Sequence, residues 1–101
     1  MNEQVVLHVV IEAVPGHEDE LLHQLEALVA PTRTEPGCEG YSLHRDPENA
    51  GRFMFYERFA SQAALDAHLE MAHFRNFVQY RASATPDPVA SAVVTRWQLV
   101  A

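Results

Sequence analysis

Residues 52–77, which read RFMFYERFASQAALDAHLEMAHFRNF, decide the fold. The first part carries aromatic residues at strand spacing and predicts a β-strand. Alternate residues of a strand face opposite sides of a sheet, so Glu57 shares a face with Phe53, Phe55 and Phe59. If that face is buried, the Glu57 carboxylate is removed from water and requires either a partner or a raised pKa.

The second part of this stretch predicts helix. Ser61 is a good N-cap residue, and the apolar stripe that follows it has one polar member, His68. The stripe loses phase just before His73, which predicts a second helical segment burying Phe74 and Phe77. An apolar strand face interrupted by one glutamate, followed by an apolar helix face interrupted by one histidine, is the most informative feature of the chain.

The remaining segments complete a β-α-β-β-α-β order. Strands are expected over residues 5–13, 41–45, 52–59 and 89–100, and helices over residues 17–30 and from residue 61 to the proline-rich segment 85–88. Pro31 marks the approach to the end of the first helix, and a short continuation to Thr34 stays open. This order typically folds as a four-stranded antiparallel sheet with the helices on one face, the ferredoxin-like α+β arrangement. We expect residues 1–101 to form a single domain.

The strands carry large apolar groups on both faces. Met54 and Tyr56 lie opposite the phenylalanine face, and Val6 and Val10 occupy the equivalent face of the first strand. An apolar sheet face that the helices leave uncovered implies a partner surface. The sequence therefore predicts a homodimer that packs sheet against sheet.

Charge and composition exclude several classes of partner. The chain has 14 acidic and 7 basic residues, and its formal net charge of -7 disfavours nucleic acid and anionic membrane surfaces. No apolar run approaches the roughly 20 residues of a membrane span, and no signal peptide is visible. The single cysteine, Cys38, cannot form an internal disulfide. We therefore expect a cytoplasmic protein.

Several different short motifs are distributed along almost the whole chain. They are Pro15-Gly16, Thr32-Arg33-Thr34-Glu35-Pro36-Gly37-Cys38, Gly40-Tyr41, Arg45-Asp46-Pro47, Tyr56-Glu57-Arg58-Phe59, Ala67-His68-Leu69 and His73-Phe74. In their order and spacing the chain resembles the antibiotic biosynthesis monooxygenase (ABM) domain family, including its small quinol-monooxygenase-like members. The resemblance implies a homodimeric α+β barrel with a pocket between sheet and helices in each subunit. It also implies oxidation of a quinol or polycyclic phenol by dioxygen without a cofactor, although relatives isomerise a phosphorylated autoinducer or degrade haem.

His68 and Glu57 are the expected catalytic residues. By resemblance His68 matches the family histidine that reaches into the pocket, where it would accept a phenolic proton. Glu57 would orient His68 and stabilise its protonated form, as a carboxylate does beside a catalytic imidazole. The alternatives are a core histidine bonded to backbone or to Glu57, and a structural ion pair of Glu57 with Arg33, Arg58 or Arg75.

Six further residues are candidates for binding the substrate: Tyr41, Tyr56, Phe55, His73, Phe74 and Phe77. The tyrosines would bond a substrate oxygen or simply pack, and the phenylalanines are core residues that would also line an aromatic pocket. Tyr56 and Glu57 face opposite sides of their strand, and we expect Glu57 to face the pocket. His73 follows His68 by five residues, so it joins the site only if the helix breaks near Ala72.

No metal or cofactor is expected. The six histidines show no metal-ligand spacing, and the chain lacks a phosphate loop and a dinucleotide fingerprint. Haem degradation is also disfavoured. The haem-degrading relatives use an asparagine and a tryptophan with their histidine, whereas this chain has His8 and Glu12 in its first strand.

The leading hypothesis is a cofactor-independent monooxygenase. The alternatives are an isomerase or other proton-transfer enzyme that uses the same His68–Glu57 pair, and a non-catalytic dimer that binds an aromatic metabolite. A stress-response dimer with an unknown ligand remains a further alternative.

Overall fold

The structure, a computed structural model, describes residues 3–101. Its elements are β1 (Val5–Ala13), α1 (Glu18–Arg33), β2 (Cys38–Asp46), β3 (Asn49–Phe59), α2 (Gln62–Glu70), α3 (Ala72–Ser83) and β4 (Val89–Trp97). The strands form one antiparallel sheet in the order β2-β3-β1-β4. The predicted ferredoxin-like α+β fold is therefore confirmed, with the second helical region divided into two helices.

Strand β3 lies inside the sheet between β2 and β1, and its alternation matches the sequence prediction. Phe53, Phe55 and Phe59 are buried in the core on the side that the helices cover. Glu57 lies on the same face, paired across the sheet with Tyr41 of β2 and Leu7 of β1. A carboxyl group is thus enclosed by hydrophobic side chains at the centre of the sheet.

The first helix takes the short continuation past Pro31 that the sequence left open. Pro31 lies within α1, which continues to Arg33. Proline removes its own N–H donor and its ring crowds the carbonyl four residues earlier, but Pro31 lies in the last turn of α1. The Pro31 carbonyl accepts hydrogen bonds from the backbone N–H and the hydroxyl of Thr34, at 3.1 and 2.7 Å. Among residues 3–101, no helix is long and apolar enough to cross a membrane.

Strands β2 and β3 extend further toward each other than the sequence indicated. Their connection is a tight hairpin in which Asp46 pairs with Asn49, and the Asp46 carboxylate accepts the Glu48 N–H at 2.8 Å. At its other end β2 begins at Cys38, which pairs with Phe59. The loop expected over residues 32–40 is consequently reduced to residues 34–37.

The predicted break in the second helical region is confirmed. The Ser61 hydroxyl accepts the Ala64 N–H at 3.2 Å and caps α2. Met71 has an extended backbone, with φ -68° and ψ 147°, and its carbonyl accepts the Arg75 N–H at the start of α3. The chain therefore changes direction between His68 and His73.

The opposite face of the sheet carries apolar side chains without a covering layer. Val93 and Trp97 are each 56% exposed, and Met54 and Tyr56 are half-buried. β4 ends at Trp97 rather than at residue 100 as expected. This outer face, defined by Val10, Met54, Tyr56, Val93 and Trp97, is the surface that the dimer prediction requires.

Candidate active site

Three side chains from separate elements converge beneath the helices. Glu35 lies in the loop between α1 and β2, His68 in the last turn of α2 and His73 in the first turn of α3. Oε2 of Glu35 lies 2.9 Å from Nδ1 of His68 and 2.6 Å from Nε2 of His73. His68 is only 2% exposed and Glu35 8%. The cluster is therefore a buried carboxyl group shared by two imidazoles.

The loop that carries Glu35 is fixed on both sides. The backbone N–H of Glu35 bonds the Thr32 carbonyl at 3.1 Å, and the Glu35 carbonyl accepts the Cys38 N–H at 3.0 Å. Gly37 lies so close to α2 that a Cβ added there would be 2.3 Å from Cβ of Ala64. Ala64 lies one helical turn before His68, so the missing side chain at Gly37 lets the loop bring its carboxyl group to the imidazole.

The shared carboxylate determines how the two rings carry their protons. A neutral imidazole donates through one nitrogen and accepts through the other. The hydrogen-bond pattern assigns the donor N–H to Nδ1 of His68 and to Nε2 of His73, both directed at Glu35. Nε2 of His68 then holds a lone pair. This is the tautomer that a general base requires.

The surroundings of His68 are aromatic. Its ring centroid lies 5.1 Å from Phe59, 5.1 Å from Phe74 and 5.7 Å from Tyr41. Such an environment excludes water and strengthens electrostatic interactions. The charge on the Glu35 carboxylate therefore acts strongly on any proton that His68 accepts.

Glu57 lies on the helix-covered side of the sheet but does not bond His68. The expected His68–Glu57 pair is corrected by the structure, because Glu35 reaches Nδ1 of His68 from the neighbouring loop. The arginines considered as partners are engaged elsewhere. Arg33 donates to the Tyr41 carbonyl, Arg58 donates to the Glu39 carbonyl, and Arg75 pairs with Glu70.

The environment of Glu57 instead changes its acidity. Burial, with a contribution from the negative charge of Glu35, raises the pKa of Glu57 to about 7. For a glutamate on a buried apolar face, the sequence predicted either a partner or a raised pKa, and the structure shows the raised pKa. Glu57 therefore titrates nearer to neutral pH than an ordinary glutamate does, which suits a group that gives and takes protons.

The aromatic candidates divide between the two faces of the sheet. Tyr41 is buried beside Glu57, and its ring lies 4.9 Å from Phe55. Burial, reinforced by the charge of Glu57, raises the pKa of Tyr41 far above its ordinary value, so its hydroxyl stays protonated. Tyr56 lies on the outer face, with its ring 5.5 Å from His8, and is separated from the cluster by the sheet.

Two clefts open on the helix-bearing part of the molecule, and neither is lined by Glu35, His68 or His73. One, of about 430 Å³, lies between α1 and β2 and is lined by Arg33, Arg45 and Phe53 among others. The other, of about 260 Å³, is lined by Phe74 and Phe77. Phe74 lines the second cleft, and its ring centroid lies 5.1 Å from that of His68, so this side chain neighbours both the cleft and the buried imidazole.

Glu35 is the site residue that sequence reasoning missed. It lies in a loop without periodicity, and 33 residues separate it from His68. The available signal was its place in the motif before Pro36-Gly37, because a glycine in a loop often marks a close backbone approach. The ligand atoms of Glu35, His68 and His73 all lie within 4.8 Å of one another, a grouping that the spacing of the histidines in the sequence does not reveal, and the expectation of no metal stays a prediction.

Comparisons with known proteins agree with the fold. Residues 4–80 match the family model for antibiotic biosynthesis monooxygenase. An uncharacterized Synechocystis sp. protein, sll1783, is 31% identical over 88% of this chain, which spans 58% of that protein's length. "Putative monooxygenase Rv0793" of Mycobacterium tuberculosis is 32% identical over 79% of this chain and 78% of its own length. The structure of PA3566 from Pseudomonas aeruginosa has a TM-score of 0.91 and 32% identity, covering 100% of this chain and 98% of that one.

Proposed function

The chain belongs to the antibiotic biosynthesis monooxygenase family, and we propose that it is a cofactor-independent monooxygenase acting on a small quinol or fused phenol. The family and the relatives named as monooxygenases support a monooxygenase-like function. The observation that carries the finer proposal is the buried imidazole of His68, whose Nδ1 is held by Glu35. Its Nε2 is left to accept a proton from a substrate.

The first step of the proposed reaction is proton transfer. The phenolic proton of the substrate moves to Nε2 of His68, and Glu35, 2.9 Å from Nδ1, stabilises the imidazolium that forms. The resulting phenolate is richer in electrons than the phenol, so it gives an electron to dioxygen more readily. The substrate is thus its own reductant, and the protein supplies a base, a fixed charge and a dry cavity.

The oxygen atoms are then divided between product and water. The substrate radical and superoxide combine to form a carbon–oxygen bond, and the His68 imidazolium protonates the peroxide anion. His68 then takes the proton on the same carbon, the oxygen–oxygen bond breaks, and Glu57 protonates the departing hydroxide. A carbonyl and one water result, and proton exchange between His68 and Glu57 restores both groups. The Glu57 pKa of about 7 fits this donor role.

Substrate entry requires movement of one aromatic side chain. Phe74 lines the 260 Å³ cleft and lies beside the His68 ring. Rotation of Phe74 would join that cleft to the imidazole, with Phe55, Phe77 and Tyr41 forming the surrounding wall. A flat aromatic substrate would then lie against aromatic side chains with its hydroxyl directed at Nε2.

The outer face of the sheet supports the homodimer as part of this proposal. It exposes Val93 and Trp97 beside half-buried Met54 and Tyr56. Covering this surface would remove a contiguous apolar patch from water. Light scattering on Val93→Glu and Val78→Glu proteins tests the interface, because Val78 is similarly exposed but lies on α3. We expect only Val93→Glu to shift the protein to monomer, and a monomeric parent protein would exclude the dimer.

Oxygen uptake by the metal-stripped protein tests the function. The substrates are reduced naphthoquinols and anthrone-like phenols, and the variants are His68→Gln and the matched surface change His23→Gln. Glutamine at 68 can still donate to Glu35 but has no basic nitrogen. We expect a loss of about 10²-fold or more in rate for His68→Gln alone. Equal uptake in all three proteins would reject the proposal for these substrates.

A second candidate is a proton-transfer enzyme of the same fold. It is favoured by two buried groups suited to carrying protons, His68 and Glu57, which both neighbour Tyr41: Tyr41 pairs with Glu57 across the sheet and its ring lies 5.7 Å from that of His68. Such an enzyme would exchange substrate protons with solvent deuterium under anaerobic conditions, without consuming oxygen. Tight binding of an aromatic ligand with neither activity would indicate a binding module.

A further inference from the structure

The Glu35–His68–His73 cluster has the donor set of a transition-metal site. Two neutral imidazoles and one carboxylate are ligands suited to zinc, cobalt, nickel and ferrous iron, whereas magnesium and calcium prefer oxygen ligands alone. Each of the three side chains offers one ligand atom, and these atoms lie within 4.8 Å of one another. We propose that the cluster binds a divalent first-row transition-metal ion such as Zn²⁺ or Co²⁺.

The present distances are close to those that such an ion requires. In a tetrahedral zinc site, with metal–ligand distances of about 2.0–2.2 Å, neighbouring ligand atoms are about 3.3 Å apart. Oε2 of Glu35 is now 2.9 Å from His68 and 2.6 Å from His73. Increases of roughly 0.4 Å from His68 and 0.7 Å from His73, within reach of small side-chain rotations, would bring the Glu35 oxygen to the spacing that the ion needs. Three protein ligands would leave a position for water or another small ligand.

The fold holds the ligands before any ion arrives. The extended backbone of Met71 ends α2 and begins α3, so histidines five residues apart approach one carboxylate. The close contact of Gly37 with Ala64 fixes the Glu35 loop against α2, the helix that carries His68. The His73 side chain is 20% exposed while that of His68 is 2% exposed, which gives an ion one side from which to enter.

Metal binding would change the role of His68. An ion takes the lone pairs of Nδ1 of His68 and Nε2 of His73, so their protons move to the opposite ring nitrogens, Nε2 and Nδ1. Nε2 of His68 then donates and can no longer accept a substrate proton. The metal site itself does not depend on the proposed oxygenation, but this consequence does: bound metal and base catalysis are alternative uses of one imidazole.

Calorimetric titration of the metal-stripped protein with Zn²⁺, and visible absorption with Co²⁺, test the site. We expect one ion per chain and the intense absorption of tetrahedral cobalt. His73→Ala should weaken binding at least tenfold. His17→Ala is the matched control, because His17 faces Glu20 at 3.2 Å on the surface and offers only a two-ligand pair. Circular dichroism verifies that each variant is folded.

Nitrogen NMR of the histidine rings provides an independent test if a variant is unstable. In the parent protein, Zn²⁺ should shift Nδ1 of His68 and Nε2 of His73 and leave the rings of His17 and His23 unchanged. Absence of binding, equal weakening in His73→Ala and His17→Ala, or shifts confined to His17 would overturn the proposal. Because these readouts involve no substrate, they remain decisive even if the oxygenase assay is negative.

Discussion

Two buried carboxyl groups, Glu35 in the α1–β2 loop and Glu57 in the central strand β3, have opposite surroundings. Glu35 accepts hydrogen bonds from two imidazoles, whereas no hydrogen bond to the Glu57 carboxyl is found among residues 3–101. Burial raises the pKa of Glu57 to about 7. The difference teaches that a position near the core does not determine the charge of a glutamate, because available N–H donors decide whether its carboxylate is stabilised.

The contrast also separates two chemical roles. A carboxylate that two ring N–H groups hold is suited to orienting an imidazole and offsetting its charge. A carboxyl group that titrates near neutrality is suited to carrying a proton. Substitutions that remove one partner at a time can test whether this division is real.

Removing His68 should have the largest effect on stability. His68→Ala leaves a cavity and deprives the Glu35 carboxylate of one of its donors, so we expect a loss of about 3–5 kcal/mol in the free energy of unfolding. Urea denaturation measures it, with His23→Ala, an exposed change on α1, as the control. A loss below about 1 kcal/mol would mean that the Glu35–His68 bond does not hold the carboxylate in place.

Neutralising Glu57 should stabilise the protein, whereas removing His68 should destabilise it. Its folded-state pKa of about 7 exceeds the ordinary value of 4.5, so the folded state binds more protons between these values and stability falls as pH rises from about 4.5 to 7. Glu57→Gln removes this penalty. We expect it to stabilise the protein by up to about 3 kcal/mol at pH 8, with little change near pH 4.5.

Denaturation of Glu57→Gln and of the exposed control Glu26→Gln across this pH range checks the prediction. The parent and the Glu26→Gln protein should show the same decline with rising pH, and Glu57→Gln should lack it. If stability at pH 8 drops on substitution instead, the Glu57 carboxylate has a stabilising partner and the contrast with Glu35 fails.

Gly37→Ala should displace the loop that carries Glu35 and leave the surroundings of Glu57 unchanged. The added methyl group would lie 2.3 Å from Cβ of Ala64, so the loop must withdraw from α2 at a cost of about 1–3 kcal/mol. Ala64→Gly removes the opposing Cβ, and the double variant should recover part of the loss despite glycine's low helix propensity. Additive losses in the double variant would show that this contact does not position the loop.

The sequence predicted the Glu57 region better than the Glu35 region for a physical reason. Alternation of side chains predicts strand β3, and a loss of helical phase predicts the break before His73. Both signals are local in the sequence. The Glu35–His68 bond joins residues 33 positions apart and depends on Gly37 passing close to Ala64. No periodicity encodes that contact. The local signals therefore paired His68 with Glu57, which is nearer than Glu35 in the sequence but does not bond His68.

The smallest expected effect links the two carboxyl groups directly. The negative charge of Glu35 contributes to the raised pKa of Glu57, although burial is the larger cause. Glu35→Gln removes that charge and keeps the side chain's size, so the pKa of Glu57 should fall while staying above its ordinary value. Carbon-13 NMR titration of the Glu57 carboxyl measures the shift, and Glu39→Gln, an exposed change at the start of β2, is the control. An unchanged pKa would mean that burial alone raises the pKa of Glu57. A return to the ordinary value would mean that the charge of Glu35, and not the hydrophobic face of β3, raises it.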